Sequence, residues 1–494
     1  VKELFRSLAP PPSGGAAPLR RALGFELLGP SSGAFRVGKP ARLRPALECE
    51  HLEVRIVPAA AVNVYTDALH TNLLSTDGNW SLGHKPTGME IAQFDKNFSP
   101  SSNDPCTVDI THTVGGLTFV NGYTGTVTIN GAIDLQVQTT VGGVTDWTNG
   151  GTVVTFQMAS LSSEIDLEAG GTFQAFTING PGGGGGGLLL LGNGAFTDTQ
   201  AAVNTWADVK IGGDTATFIL NTNNATSFVL RDGATMTVAS GSTLALGDSN
   251  GKQLISATSI NSYVANSGTV LWQWANGTAN TKINVALLNY GTVSIDDQSG
   301  TGAMGSVGLE FMSSSPTTGD DAVKMDGGSI TLKNQGRMIV DAGYYQTGGT
   351  FTTNNPTANT RSYLYLNNTH RVAEFDGGTV SMGGAVYQAL AIDTQDGGGA
   401  TVTVNLHGAE LDVTIKGDTS AIQNQLYCPN GTVDINNASK LVVTSGVAVK
   451  AMKTWTIILA NGIPNDFTDA NKDVTHATGV KTFTRSLGAY ELGS

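Results

Sequence analysis

One pattern recurs through most of the chain: a glycine, then Thr or Ser, then a short run in which apolar and hydroxyl residues alternate. It reads Gly125-Thr126-Val127-Thr128-Ile129 near one end and Gly431-Thr432-Val433-Asp434-Ile435 near the other. Between them stand Gly268-Thr269-Val270, Gly291-Thr292-Val293-Ser294-Ile295, Gly328-Ser329-Ile330-Thr331-Leu332, Gly349-Thr350-Phe351 and Gly378-Thr379-Val380-Ser381-Met382. A period of two is that of a strand with one buried side, here Val, Ile, Leu and Phe, and one side covered by hydroxyls. Glycine supplies the turn before each strand. Further strands of the same type fall between the anchors, one with Ala216, Phe218 and Leu220 on a single side.

The glycine anchors are separated by 20, 21, 23, 26, 29, 32 and 37 residues in different places. Coils of about 20–25 residues, lengthened by variable loops, produce such spacing, because no coil can bury its apolar side without a neighbour. The pattern predicts an all-β chain folded as a right-handed parallel β-helix, or β-solenoid, with capped ends. A β-sandwich is the rival, but it ends after about 100–120 residues and is rich in hairpins. Here the recurrence runs from about 107 to 450 without a linker. No segment carries a long helical stripe.

Composition divides the chain further. Residues 1–58 hold 9 Lys and Arg against 5 Asp and Glu, and half of the 16 Pro. The rest holds 18 against 35 and is Gly-punctuated and acidic. The expected organisation is a basic Pro/Gly-rich leader at 1–58, disordered or removed, and an N-terminal cap at 59–106. A β-helix body then spans 107–450, with a Gly-rich loop at 181–187, before a C-terminal cap at 451–494. Leu188 follows the loop glycines where a phosphate cradle would need Lys and then Ser or Thr, so the loop is read as a surface excursion.

Three stretches carry resemblances. Arg42-Leu43-Arg44-Pro45, with Leu52-Glu53-Val54-Arg55-Ile56-Val57-Pro58-Ala59, resembles the leader of many exported planctomycete proteins, with Val54 where that leader usually has Asp. Asp77-Gly78-Asn79-Trp80-Ser81-Leu82-Gly83, leading to Ala92-Gln93-Phe94-Asp95, resembles the opening of exported bacterial β-solenoids, whose Trp and Phe help close the first coil. Trp455-Thr456-Ile457-Ile458-Leu459-Ala460 is similar to the terminal segment of autotransporter-like and surface-anchored solenoids. These resemblances imply export to the cell surface or beyond. They imply no particular chemistry, and whether 1–58 remains in the mature protein is left open.

The acidic body lacks the Lys/Arg run that a phosphate backbone requires, which argues against nucleic acid as a partner. No stretch of 18 apolar residues predicts a membrane-spanning helix. Cys106 and Cys428 are too few for a disulfide framework, and the sequence leaves their oxidation state open. No nucleophile elbow or zinc-protease pair occurs, and the six His residues beyond the leader are spread along the chain. No metal site and no cofactor is expected. Gly-Asp and Asp-Asp turns at 213–214, 296–297 and 320–321 offer oxygens for a structural Ca²⁺, without matching a calcium-loop pattern.

Two candidate sets remain. Asp320, Asp321, Asp326 and Asp341 are the best-placed carboxylates for polysaccharide cleavage, which needs two of them across one sugar. Trp272, Trp274, Tyr344, Tyr345, Tyr363 and Tyr365 supply rings that either fill the core or stack on a ligand outside it. The leading expectation is an extracellular structural or adhesive solenoid that is not an enzyme. It would associate with itself, with another surface protein or with polysaccharide. The alternatives are a polysaccharide-degrading hydrolase or lyase and a non-catalytic glycan-binding module.

Overall fold

The computed structural model describes residues 61–493 except for internal segments, those of six residues or more being 180–185, 197–202, 221–227, 298–307, 416–423 and 446–453. The described residues belong to one unit, Ala59–Ser494. The expected leader at 1–58 and most of the glycine loop at 181–187 lie outside them.

Each coil contributes three strands. Thr269–Trp274, Thr281–Asn284 and Ala286–Asn289 make one coil, and Thr292–Asp297, Leu309–Phe311 and Val323–Met325 make the next. Every strand pairs in parallel with its counterpart one coil on: Thr269 opposite Thr292, Thr281 opposite Leu309, Leu287 opposite Val323. The unit is a right-handed parallel β-helix with three faces, the hand being that of parallel crossovers generally. We name the faces from their outward residues: the threonine face holds Thr269–Trp274, the tyrosine face Thr281–Asn284 and the acidic face Ala286–Asn289. The threonine face is a 12-stranded ladder. The long strand Gln425–Ile435 passes through both of the others, pairing with Gln388–Asp393 and then with Val402–Leu406, and so joins them into one sheet.

Unequal corners explain the irregular spacing of the glycines. Between the tyrosine and acidic strands of one coil stands the single residue Val285. One coil later the same corner spans the residues between Phe311 and Val323 and includes the helical turn Pro316–Thr318. No helix among the described residues is long and apolar enough to cross a membrane.

The two-residue period sorts side chains as the sequence predicts. On the threonine face Leu244, Val270, Val293, Ile330 and Phe351 point inward in register and are buried. Thr243, Thr269, Thr292, Ser329, Thr350 and Thr379 form the outward column beside them.

The recurring glycines form a column of their own at the corner that enters this face. Thr292, Ser329, Thr350 and Thr379 each donate a backbone N–H to the carbonyl of the glycine one coil back: Gly268, Gly291, Gly328 and Gly349, at 2.7–3.0 Å. A Cβ on Gly349 would stand 2.5 Å from the Gly328 carbonyl oxygen, and Gly349 has φ +73°. The signature therefore marks a place where successive coils touch through bare backbone.

Buried amides line the inside of the same corner. Asn266 Nδ2 donates to Asn289 Oδ1 at 2.7 Å and to the Thr292 carbonyl at 3.0 Å. Asn289 Nδ2 reaches the Gly291 carbonyl at 3.3 Å. Two coils beyond Asn289 the position is Gln346, whose Nε2 donates to the Gly377 carbonyl at 3.1 Å. These donors add a second set of bonds at this corner, within and between coils.

At the N-terminal side Ala61–Val64 pairs in parallel with Glu90–Asp95, which pairs with Gly116–Val120. Trp80, Tyr65, Phe94 and Tyr123 pack ring to ring there at 5.2–6.0 Å, and Trp80 Nε1 donates to the Leu74 carbonyl at 2.9 Å. At the other end the parallel rule stops. Thr454–Gly462 pairs antiparallel with Ala489–Gly493, which pairs antiparallel with Thr482–Arg485. Cys106 and Cys428 are free, buried thiols. Burial pushes the Cys428 thiol up to about 12, which keeps it neutral and inert.

Candidate functional site

Inward and outward parity separates the aromatic candidates. Trp272 points into the core between Leu246 and Ile295 and is 1% exposed. The side chain of Trp274 lies outside the described residues. Tyr344 is also buried, packed on Phe351 and Phe375 at 5.5 and 5.2 Å, with its hydroxyl donating to Gln346 Oε1 at 2.8 Å. Trp272 and Tyr344 are therefore core residues and leave the surface set. Tyr345, next in the strand, points out on the acidic face and donates to Asp376 Oδ2 at 3.0 Å.

Tyr363 and Tyr365 point out on the tyrosine face, two residues apart in strand Thr360–Leu366. Their rings stack at 5.1 Å with 12° between planes. The Arg337 guanidinium lies over Tyr363 at 5.4 Å, and that of Arg361 lies over Tyr427 at 3.8 Å. Register places Tyr363 opposite Arg337 on one side and Ala391 on the other, with Tyr427 beyond Ala391. The result is an Arg–Tyr ladder in which rings are faced by each other or by guanidinium groups. Burial pushes the Tyr365 hydroxyl up to about 12, with Arg337 pulling the other way, so it stays neutral.

The carboxylate candidates divide between two corners. Asp321 and Asp341 lie where the tyrosine face turns into the acidic face, Asp321 leading into Val323–Met325 and Asp341 following Arg337–Val340. Asp326 lies at the far end of Val323–Met325, about 16 Å along the chain from Asp321 at 3.3 Å per residue. That exceeds the roughly 5–9.5 Å between the two acids of a glycosidase. Asp326 is also engaged, by Lys324 Nζ at 3.4 Å, Thr347 Oγ1 at 2.7 Å and the Tyr290 hydroxyl at 3.4 Å. Asp320 and the turn at 213–214 lie outside the described residues. Asp296 and Asp297, expected in a turn, end strand Thr292–Asp297 instead, and Asp296 accepts a hydrogen bond from Asn334 Nδ2 at 2.6 Å.

The acidic face holds a grouping that sequence reasoning missed. His407 Nδ1 lies 2.9 Å from Glu374 Oε1 and 4.0 Å from Asp376 Oδ1, and its Nε2 lies 3.4 Å from Asp434 Oδ2. Glu374, Asp376 and His407 can each place one donor atom within 4.8 Å of the others. Glu374 and His407 are 33 positions apart in the chain, outside any local metal motif. The signal was nonetheless present. Asp326-Gly327-Gly328, Thr347-Gly348-Gly349, Asp376-Gly377-Gly378 and His407-Gly408-Ala409 are equivalent turns, and aligning them stacks Asp326, Thr347, Asp376 and His407 in one column. Stepping back two residues gives the adjacent column Lys324, Tyr345, Glu374 and Asn405, which the ladder confirms. A comparable group near the N-terminal side joins Asp67, His70 and Asp104.

No protein-family model, curated protein or solved structure matches this chain.

Proposed function

We propose that this protein is an exported structural or adhesive solenoid that acts as a surface and not as an enzyme, and that it contacts its partners through the tyrosine face. The observation that carries the reading is the outward pairing of Tyr363 with Tyr365 and of Arg361 with Tyr427, above an Arg337 that is itself buried. Tyr and Arg dominate the energetic centres of protein interfaces, and pre-ordered rings lose little entropy on docking. Rings already faced by guanidinium groups are poorly placed to stack flat on sugars. This favours a protein partner over a glycan. The body carries 18 basic against 35 acidic residues, so an arginine-bearing patch complements the acidic surface of another copy of the same chain. A contact between two different patches propagates into open assemblies. In this reading residues 1–58 are the export leader and the two ends of the stack are caps.

Sedimentation velocity and electron microscopy of the full chain over rising concentration test it. The wild type is expected to form assemblies that weaken in high salt, and the double variant Arg361→Ala/Tyr365→Ala is expected to sediment as monomer. Wild-type monomer at every concentration, or assembly unchanged in the double variant, would reject the tyrosine face as the contact.

A further inference from the structure

We propose that Glu374, Asp376 and His407 hold a divalent first-row transition cation on the acidic face, Zn²⁺ being the simplest occupant. One imidazole nitrogen and two carboxylate oxygens converge there, each able to lie within 4.8 Å of the others. A cation about 2.0–2.2 Å from each donor needs only small rotamer shifts to be enclosed.

Two further observations separate this group from an ordinary surface ion pair. The first is how the donors are held. Glu374 presents Oε1 to His407 while Asn405 Nδ2 holds Oε2 at 2.9 Å. Asp376 presents Oδ1 while the Tyr345 hydroxyl holds Oδ2 at 3.0 Å. The far nitrogen of His407 faces Asp434, whose other oxygen accepts from Asn465 Nδ2 at 2.6 Å. One oxygen tethered and one offered, with a carboxylate behind the imidazole, is the outer-shell arrangement that orients metal ligands. The second is charge. Three carboxylates surround an imidazole that brings at most one positive charge, and Lys324, on the same face, is engaged by Asp326. A divalent cation offsets the excess.

The nitrogen donor selects against Ca²⁺ and Mg²⁺, which take oxygen ligands, and favours zinc-like ions. The side chains of Glu374, Asp376 and His407 remain 28–37% exposed, so solvent reaches the ion and water completes its coordination.

The test uses the full chain without a histidine tag, stripped with chelator and titrated with ZnCl₂, CaCl₂ or MgCl₂ in a calorimeter. One tightly bound Zn²⁺ per chain is expected at this site, with a raised melting temperature and no comparable response to Ca²⁺ or Mg²⁺. His407→Ala and Asp376→Asn are each expected to abolish that event. Asn405→Ala, which touches only the tether, should weaken it by about 10–100-fold. Melting curves in chelator show whether each variant still folds. Two ligand variants guard against the loss of one. No Zn²⁺ binding by the wild type would overturn the proposal. So would a number of Zn²⁺ bound per chain that is unchanged in both ligand variants, or equal affinity for Ca²⁺.

Discussion

Replacing Gly349 with alanine is expected to destabilise the β-helix by about 2–5 kcal/mol. Two costs combine. An L-residue held in the left-handed region costs about 1–2 kcal/mol. The new methyl also meets the Gly328 carbonyl oxygen at 2.5 Å, and relieving that overlap by local shifts costs about 1–3 kcal/mol. The shift cannot stay local, because the Gly328 carbonyl also accepts the Thr350 N–H at 3.0 Å and so belongs to the ladder between coils. Two other glycines separate these causes. A Cβ on Gly241 meets nothing within 4 Å, yet its φ is +82°, so Gly241→Ala should show the conformational cost alone. Gly327 has open space and no positive φ, and Gly327→Ala should be neutral or slightly stabilising. Denaturation midpoints in the order Gly327→Ala, Gly241→Ala, Gly349→Ala, from highest to lowest, are the expected result. Equal midpoints would mean that the coils do not touch through this column.

The second large effect concerns Trp272. Truncation to alanine is expected to cost about 3–5 kcal/mol, the range for removing a large aromatic from a packed core. Leu246 and Ile295, on the coils before and after, are held by their own ladders and cannot collapse fully into the space. Phenylalanine should be tolerated much better. The indole Nε1 is buried with no hydrogen-bond acceptor, so Trp272→Phe removes an unsatisfied donor along with some volume. Tyr363→Ala, on the outside of the neighbouring face, should move the melting temperature far less than Trp272→Ala. A reversed order would place Trp272 outside.

These contrasts show what was legible in the sequence. The Gly-Thr phrase announces the threonine face, because a corner needing bare backbone and a strand with one buried side both leave local marks. The glycines at 268, 291, 328, 349 and 378 stack in the order the phrase predicts. Whether a given ring points in or out was harder to read. Parity is fixed only once the strand boundary is known, and Tyr344 and Tyr345 differ by one residue yet lie on opposite sides of the sheet. The grouping of His407 with Glu374 and Asp376 was least legible. Its members come from adjacent coils whose separation depends on loop length, so no fixed spacing could announce it. Reading the turns as aligned phrases, Asp376-Gly377-Gly378 above His407-Gly408-Ala409, recovers the column that spacing alone conceals.

Every surface assignment above rests on one claim, that successive coils stack in the register Thr292 opposite Ser329. Engineered cysteines test it directly. In the register found, the two hydroxyls lie 3.4 Å apart, and adjacent parallel strands stand about 4.8 Å apart, within reach of a disulfide. The diagonal pair Thr292 and Thr331 would separate their Cα atoms by about 8 Å, beyond that reach. With Cys49 replaced by serine and Cys106 and Cys428 left buried, mild oxidation of Thr292→Cys/Ser329→Cys should yield an intramolecular disulfide by mass spectrometry, and Thr292→Cys/Thr331→Cys should remain reduced. A cross-link in the diagonal pair and none in the facing pair would contradict the register and every ladder built on it.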